Sequence, residues 1–416
     1  MKAGHRIVLY YLCGVFAAAQ LGKLAALAPL ISSELGLTLA AMALLTSLLE
    51  VFGATIGGLA GRHIPRLGLN RSLGLAVLAL ALGAAGAALA PDAWVLATAR
   101  VVEGLGYLTV VVAAPVLIAR AATGHAQAAA MALWSTFVPV GMAVGAWSYA
   151  LAASWAGWRP AQGLSVVAGL ALWVALRRDP ARQPANAGGE ALSPGPTGAL
   201  LWLLVAAFGA YAVAEVGLLA LLPSLLHQGG MSLEAAGTWT AVAALANVPA
   251  SALGAWLLRR HGTMSRRVAL ATALSLGLSG LLFVVVLRSG GTATWQAPLA
   301  VLINAASGVF PSLVFAWLPL AAGGAHRLSL ASGRLTQFGA SGALLGPPLM
   351  GLLVERGGWS AAGLASLTFS AAALPPALLA WRRLAQHARQ AQSSDEKPEV
   401  CTMGPQLARS AARRRA

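Results

Sequence analysis

The sequence predicts an all-α membrane protein with twelve transmembrane helices arranged as two pseudo-symmetric six-helix bundles. The first observation is composition, because 58% of the 416 residues are hydrophobic, only 10% are charged and the mean hydropathy is +0.74. A soluble chain could not hide that much apolar surface in one core. The second is a succession of apolar runs of about 20 residues, the length that crosses a bilayer. The third is a repeat of sequence landmarks between the two halves.

Twelve apolar runs with helical character follow one another, six before and six after a segment rich in proline and glycine. Each run is close to the length of roughly 20 residues that a transmembrane helix needs. The first run is too long for a signal-peptide core, so we interpret it as a helix. The runs cover residues 8–31, 40–61, 72–91, 93–119, 129–153, 159–176, 199–222, 233–258, 268–287, 296–322, 335–354 and 360–381.

The segment between the two sets of runs divides the chain. Its prolines and glycines break helices and favour an exposed linker. The predicted organisation is a first six-helix bundle at 1–176, a cytoplasmic linker at 177–198, a second six-helix bundle at 199–381 and a basic, disordered cytoplasmic tail at 382–416.

Lysine and arginine are distributed unevenly between the connecting segments. With the N-terminus inside, 23 of the 28 basic residues lie on the cytoplasmic side, three lie outside and two lie within helices. Short cytoplasmic loops retain positive charge during insertion, so both termini are predicted to be cytoplasmic. The richness in Ala, Gly, Leu and Arg indicates a bacterial inner membrane. This distribution accounts for the net charge of +16 without nucleic acid as a partner, and the arginines at 413–415 leave open a contact of the tail with anionic lipid.

Landmarks of the first half recur in the second half. They are separated by 194 residues near the end of the first run and by slightly more in later runs. Duplication of this kind usually builds two bundles about an axis normal to the membrane, with a substrate site between them near the midplane. The matched positions are Pro29, Gly36 and Leu39 with Pro223, Gly230 and Leu233, Gly104 with Gly308, and Gly157 with Gly358.

Two opposite charges lie inside the fourth apolar run. An ionisable group near the centre of a membrane helix costs about 2.5 to 3.5 kcal/mol, so Arg100 and Glu103 are expected to face a protein interior. They are three residues apart and Tyr107 follows one turn later, so all three share a helix face. We interpret Arg100 and Glu103 as functional residues, and a role of this pair in proton coupling is what the family resemblance described below implies. An ion pair that only locks helix packing is the alternative.

Further polar residues lie in the apolar runs. Lys23 in the first run is interpreted either as a counter-ion for Glu50 or Glu103, or as the cation that receives an anionic group of a substrate. Glu50 joins Glu103 as a candidate proton carrier, because a buried carboxylate can bind and release a proton when a neighbouring cation moves. Hydrogen bonding between helices is the alternative role for the neutral groups. The other candidates for substrate binding are Gln20, Tyr107, Tyr211, Glu215, Asn247 and Asn304.

Glycine, proline and arginine recur at characteristic places along the runs. They are Gly57, Gly58 and Arg62 between the second and third runs, Arg100 and Gly104 in the fourth, Pro139, Gly141 and Gly145 in the fifth, and Gly346 and Pro347 in the eleventh. Small residues four apart let helices approach closely, and proline inside a helix creates a bend, so we assign the glycines and prolines to gating or packing. Together these signatures resemble those of the major facilitator superfamily of secondary transporters, across nearly all of residues 1–385. The chain departs from the family at Gly61, where an aspartate is usual.

The resemblance implies a proton-coupled secondary active transporter rather than an enzyme, with no cofactor and the proton gradient as its energy source. The sequence lacks a G-x-x-x-x-G-K-[ST] phosphate loop, which argues against an ATP-driven pump. It also lacks a cluster of His, Asp or Cys that would suggest a metal or enzyme site.

Three functions remain open at the level of sequence. The arginine of the fourth run and the motif of the fifth favour export of a small organic compound, such as a drug, metabolite or siderophore, by proton antiport. The alternatives are uptake of a small anion by symport, as in the similar cyanate-permease branch, and a non-transporting membrane sensor on a transporter scaffold. We expect a monomer whose partners are a small-molecule substrate, protons and the lipid bilayer.

Overall fold

The computed structural model describes residues 3–121, 130, 133–134, 136–178, 198–262, 264–288, 290–322 and 325–395. Within these ranges every regular element is a helix, and eleven helical stretches are long and apolar enough to cross a membrane. The last stretch, Gly333–Gln386, is 54 residues long and is interrupted at Gly358, where φ is 70° and ψ is 178°. It therefore contains two spans. The predicted all-α fold with twelve spanning helices is confirmed.

We number the spanning helices α1 to α12. Those of the first half are α1 (Ala3–Leu35), α2 (Leu39–Ser47 and Val51–His63, joined by the 3-10 turn Leu48–Glu50), α3 (Leu69–Ala88), α4 (Ala93–Ala121), α5 (Phe137–Ala156) and α6 (Gly163–Arg177). Those of the second half are α7 (Ala199–Gln228), α8 (Leu233–His261), α9 (Arg266–Val286), α10 (Ala293–Ser307 and Val309–Ala322), and α11 and α12, which are the parts of Ala325–Asp395 before and after Gly358.

Three pairs of turns take the same backbone conformation in the two halves, as expected of a structural repeat. In each pair a glycine adopts a positive φ that side chains with a Cβ atom rarely reach. Two of the pairs are landmarks of the sequence repeat, and the third lies between the second and third spans of each half. The φ values are 64° at Gly36 and 91° at Gly230, 87° at Gly68 and 77° at Gly262, and 83° at Gly157 and 70° at Gly358.

Helix α1 packs against α5, and α7 packs against α11, in the same manner. A Cβ atom added at Gly145 would lie 2.2 Å from the carbonyl oxygen of Ala19, and one added at Gly141 would lie 2.4 Å from the Cβ of Ala18. In the second half, a Cβ at Gly346 would lie 2.4 Å from the carbonyl oxygen of Val213. These glycines therefore let each helix pair approach at backbone distance.

The two halves touch through α2 and α11 at both ends of these helices. Near one end, the backbone N–H of Ala40 donates to Oε1 of Glu355 at 2.6 Å. Near the other, Nε2 of Gln337 donates to the carbonyl oxygen of Ala54 at 3.0 Å. A Cβ at Gly58 would lie 3.6 Å from Oε1 of the same glutamine. Contacts between helices of opposite halves at these positions must change when the bundles move relative to each other.

Two sequence expectations need correction, and others lie outside the described part of the chain. Gly57 and Gly58 belong to the last turns of α2 rather than to a loop, and nothing is described for the side chain of Arg62. Pro139 lies in the first turn of α5, where its missing N–H is not needed, so the bend expected there does not arise from it. The linker prediction lies mostly outside the described residues, as do residues 396–416 of the tail.

The boundary predicted at residue 381 is also displaced, because α12 continues to Asp395. Leu384 and Ala385 lie beyond the predicted end and are 5% and 6% exposed. Burial of these two residues against the bundle stabilises the extra turns, which the basic character of the segment did not suggest.

Candidate functional site

A buried ion cluster connects α1 and α4. The side chains of Lys23, Arg100 and Glu103 are all 0% exposed. Nζ of Lys23 lies 2.6 Å from Oε1 of Glu103, and the guanidinium of Arg100 pairs with Oε2 of the same carboxylate. One carboxylate thus compensates two cations in the interior, where an unpaired charge would cost several kcal/mol.

Arg100 also binds the backbone of α2 where that helix is interrupted. Its Nε donates to the carbonyl oxygen of Leu45 at 3.3 Å, and its Nη2 donates to that of Thr46 at 3.2 Å. Directly afterwards the α-helix gives way to the 3-10 turn at Leu48–Glu50. A 3-10 segment inside a helix often marks a hinge, because its hydrogen bonds are less favourable than those of the α-helix. The guanidinium is therefore bound by the carboxylate of Glu103 and by two backbone carbonyl groups next to the interruption of α2.

Glycines without side chains make room for this cluster. A Cβ atom added at Gly104 would lie 2.9 Å from the carbonyl oxygen of Leu49, so α4 contacts the interrupted part of α2 closely. A Cβ at Gly83 of α3 would lie 2.4 Å from Cγ of Glu103. The carboxylate between the two cations is thus fixed in place from a third helix.

Glu50 forms the second acidic element of the cluster. Its carboxyl group is hydrogen-bonded to the hydroxyl of Tyr107 and has Arg100 as an electrostatic neighbour. Both Glu50 and Tyr107 are 7% exposed. With Lys23 and Glu103 included, two basic and two acidic side chains meet in the first half.

A separate set of hydrogen bonds beside this cluster joins α1, α5 and α6. The hydroxyls of Tyr149 and Ser165 are 2.5 Å apart, and Ser165 donates to Oε1 of Gln20 at 2.9 Å. Nζ of Lys23 lies 5.9 Å from the centroid of the Tyr149 ring. Gln20 is therefore engaged within the first bundle.

The second half carries a polar group of a different kind on α7, α8 and α10. The hydroxyl of Tyr211 is hydrogen-bonded to the side chains of Asn247 and Ser307. Glu215 lies one turn further along α7 and is 5% exposed; Ser307 is its polar neighbour, but neither carboxyl oxygen has a partner at full hydrogen-bonding geometry in the described part of the chain. The same holds for Oδ1 of Asn304, which is 0% exposed. Three buried acceptor atoms of this polar group thus have no hydrogen-bond partner among the described residues.

The two polar groups occupy corresponding positions of the repeat. Gly104 and Gly308 are matched landmarks, and the same separation of 204 residues relates Arg100 to Asn304 and Glu103 to Ser307. Charged residues of the first half therefore correspond to neutral hydrogen-bonding residues of the second.

Comparison with known proteins identifies the family. The chain matches the model of the Major Facilitator Superfamily over residues 10–333, which is well over half of its length. The chain belongs to this superfamily. It is accordingly a multi-pass membrane protein and a secondary transporter of small solutes, not an enzyme.

Two crystal structures of a bacterial homologue of the human lysosomal transporter Spinster share the fold of this superfamily member. The inward-facing, occupied form has a TM-score of 0.72 and 17% sequence identity, covering 91% of this chain and 97% of that one. The inward-facing, unoccupied form has a TM-score of 0.68 and 16% identity, covering 92% and 98%. No curated protein matches the chain by sequence. At these identities the similarity shows the fold alone.

Within this superfamily fold, the structure brings together some of the predicted site residues and separates others. Lys23, Glu50, Arg100, Glu103 and Tyr107 form one connected cluster. The predicted residues of the second half form the other group, and Gln20 belongs to neither because it contacts α6. For Lys23, the counter-ion role to Glu103 is the one that the geometry favours.

Three residues of the site escaped sequence reasoning. Gly83, Tyr149 and Ser165 contact the cluster or belong to the set of hydrogen bonds beside it. A signal existed for the last two, since a polar side chain inside an apolar run is expected to face protein. Gly83 gave none, because the third run contains several glycines and only the position of Glu103 distinguishes this one.

Proposed function

We propose that this transporter exports a small organic compound across the bacterial inner membrane by proton antiport, as a monomer with both termini in the cytoplasm. The proton gradient is its energy source and it needs no cofactor. The observation that carries the proposal is the buried cluster in which Glu103 compensates both Lys23 and Arg100 while Glu50 is held separately by Tyr107.

Charge balance assigns the proton to Glu50. When both carboxylates are ionised, their charges balance those of Lys23 and Arg100, and the cluster is neutral. Glu103 is already bound to both cations, so we assign a proton that enters the cluster to Glu50, which leaves one excess positive charge. Arg100 is bound to Glu103, is an electrostatic neighbour of Glu50 and donates to the α2 backbone just before the 3-10 turn, so a change of charge at Glu50 acts on the interrupted helix through Arg100.

The chemistry of the buried groups without a hydrogen-bond partner favours export of a donor-bearing compound over uptake of an anion. An anion would need a free cation, but Lys23 is 0% exposed and is already bound to Glu103. In the polar group of α7, α8 and α10 around Tyr211, the buried atoms without a hydrogen-bond partner are the carboxyl oxygens of Glu215 and Oδ1 of Asn304, which accept hydrogen bonds. A compound with a protonated amine or several N–H groups satisfies these atoms, whereas an anion is repelled by Glu215.

The test compares small molecules inside and outside cells that express the wild-type protein, the Glu50→Gln variant, or no protein, with and without a protonophore. The expected result is a set of compounds that appears outside only with the wild-type protein and an intact gradient. Glu234→Gln serves as the control, because this carboxylate is exposed at the start of α8.

Each other outcome contradicts the proposal. Accumulation inside the cells would establish uptake. Equal export by Glu50→Gln would show that this carboxylate does not carry the proton. No difference in either pool would support a sensor without transport.

A further inference from the structure

A cavity of about 200 Å³ lies between the ends of α1, α3 and α6, and none of its lining residues belongs to either polar group described above. The N-terminal ends of α1 and α3 and the C-terminal end of α6 meet here, so the cavity lies at one boundary of the membrane. Residues that determine its chemistry are Tyr10, Asn70, Arg71, Leu75, Trp173 and Arg177.

The polar side of the cavity is suited to an anion. Arg71 and Arg177 both line it and are exposed, and no acidic residue is among its lining residues. The guanidinium of Arg177 lies 4.3 Å from the centroid of the Trp173 ring, which orients it without neutralising it. The hydroxyl of Tyr10 donates to Oδ1 of Asn70 at 3.4 Å, and this contact fixes the orientation of the Asn70 side-chain amide. The planar guanidinium group of arginine can donate two parallel hydrogen bonds to two oxygens of a phosphate.

The apolar side of the cavity opens towards the lipid. Leu75 is 57% exposed on the outer surface of α3, one turn from Arg71. Gly74 widens the cavity, since a Cβ atom there would lie 3.8 Å from Cδ1 of Trp173 and would occupy part of the space. Tyrosine and tryptophan are enriched where the hydrocarbon meets the headgroups, and both line this cavity.

We propose that this cavity binds the phosphate headgroup of an anionic phospholipid, with Arg71 and Arg177 on the phosphate and an acyl chain along Leu75. A free phosphate ion would use the two arginines but would gain nothing from the apolar, lipid-facing wall. Basic pockets between transmembrane helices bind anionic headgroups in the same way. The proposal is independent of the transport reaction, so either can fail without the other.

The experiment measures lipid binding to the full-length protein in detergent. Dioctanoyl phosphatidylglycerol, dioctanoyl phosphatidylcholine and inorganic phosphate are titrated separately, and bound adducts are counted by native mass spectrometry. The expected result is tight binding of phosphatidylglycerol and much weaker binding of the other two. Replacing both Arg71 and Arg177 by alanine should weaken the binding of phosphatidylglycerol about 30-fold, since each arginine contributes roughly a fivefold step.

Two further variants make the result specific. Arg178→Ala removes a neighbouring positive charge that does not line the cavity and should leave binding unchanged. Gly74→Leu fills the cavity without changing charge and should weaken binding at least about tenfold. Gly74→Leu also decides the matter if the double arginine variant does not fold.

Three outcomes would overturn the proposal. The first is phosphatidylglycerol binding that is equal in the wild type and in the Gly74→Leu variant. The second is inorganic phosphate that binds as tightly as the lipid, which would make this a site for a free anion. The third is phosphatidylcholine that binds equally well, since the arginines would then not select the headgroup charge.

Discussion

Replacing Glu103 by glutamine is the most direct test of the buried cluster. The variant keeps the size of the side chain but removes the carboxylate that compensates both Lys23 and Arg100. The three side chains carry a net charge of +1 in the wild type and +2 in the variant, with both cations 0% exposed. Breaking a buried ion pair by removing one partner costs about 3 to 5 kcal/mol. The midpoint of thermal unfolding in detergent is expected to fall by roughly 5 to 10 °C.

The double variant Lys23→Met, Glu103→Gln tests whether the cost of Glu103→Gln comes from the cations that it leaves uncompensated. It returns the net charge of the three positions 23, 100 and 103 to +1 and removes one of the two uncompensated cations. It should therefore be more stable than Glu103→Gln alone by at least about 2 kcal/mol, although it carries one more substitution. A double variant that is less stable than the single one would refute the reasoning, because the two side chains would then contribute independently.

An exposed ion pair provides the matched control. Glu34 pairs with Arg159 at 2.7 Å on the surface, where the two side chains are 47% and 34% exposed. Glu34→Gln removes the same chemical group from the same kind of partner but should cost at most about 1 kcal/mol, because water replaces the lost contact. Similar midpoints for Glu34→Gln and Glu103→Gln would contradict the assignment of the cluster to a water-free interior. Proton-driven transport by Glu103→Gln at the wild-type rate would contradict its role in coupling.

Three further predictions follow from the geometry. Gly83→Ala places a methyl group 2.4 Å from Cγ of Glu103 and should destabilise the protein by about 1 to 3 kcal/mol. Gly277→Ala is the control, because a methyl group there has no atom within 4 Å and should not destabilise the protein. Equal unfolding midpoints of the two variants would contradict the crowding argument. Tyr107→Phe removes the hydroxyl that binds Glu50 and should shift the pH profile of transport while the protein remains folded, and an unchanged profile would remove Tyr107 from the coupling group. Glu215→Gln should reduce export of amine-bearing compounds at least about tenfold but spare neutral ones, and equal loss for both classes would assign this carboxylate to folding.

The sequence was sufficient for the fold because hydropathy and charge act over whole helices. The twelve runs were predictable from about 20 apolar residues each, since a helix of that length crosses the bilayer with its backbone groups paired within the segment. The structural equivalence of Gly157 and Gly358 was also predictable, because a positive φ favours one residue type. Ends of helices were less predictable, as the extension of α12 shows, because Leu384 and Ala385 are stabilised by contacts with other helices.

The partners of the site residues were not predictable from sequence. Spacing placed Arg100 and Glu103 on one face, since three residues correspond to nearly one turn. The same rule could not choose between Glu50 and Glu103 as the partner of Lys23, because that choice depends on how α1, α2 and α4 pack. The 3-10 turn at Leu48–Glu50 was invisible for the same reason, since no glycine or proline marks it and it forms where the guanidinium of Arg100 binds the backbone.

The difference between the two halves bears on how coupling arises from a duplicated fold. Arg100 and Glu103 correspond to Asn304 and Ser307, so the first half holds charges that compensate one another where the second half holds neutral groups. Glu215 in the second half has no ion pair among the described residues, and its polar neighbour is the neutral side chain of Ser307. A buried carboxylate in that state must bind a proton or a positively charged group, because leaving it charged and unpaired would cost several kcal/mol. In the proposed mechanism, proton binding at Glu50 and compound binding at Glu215 act on opposite bundles, and the contacts of Glu355 and Gln337 with α2 are among those that must change when one bundle responds to the other.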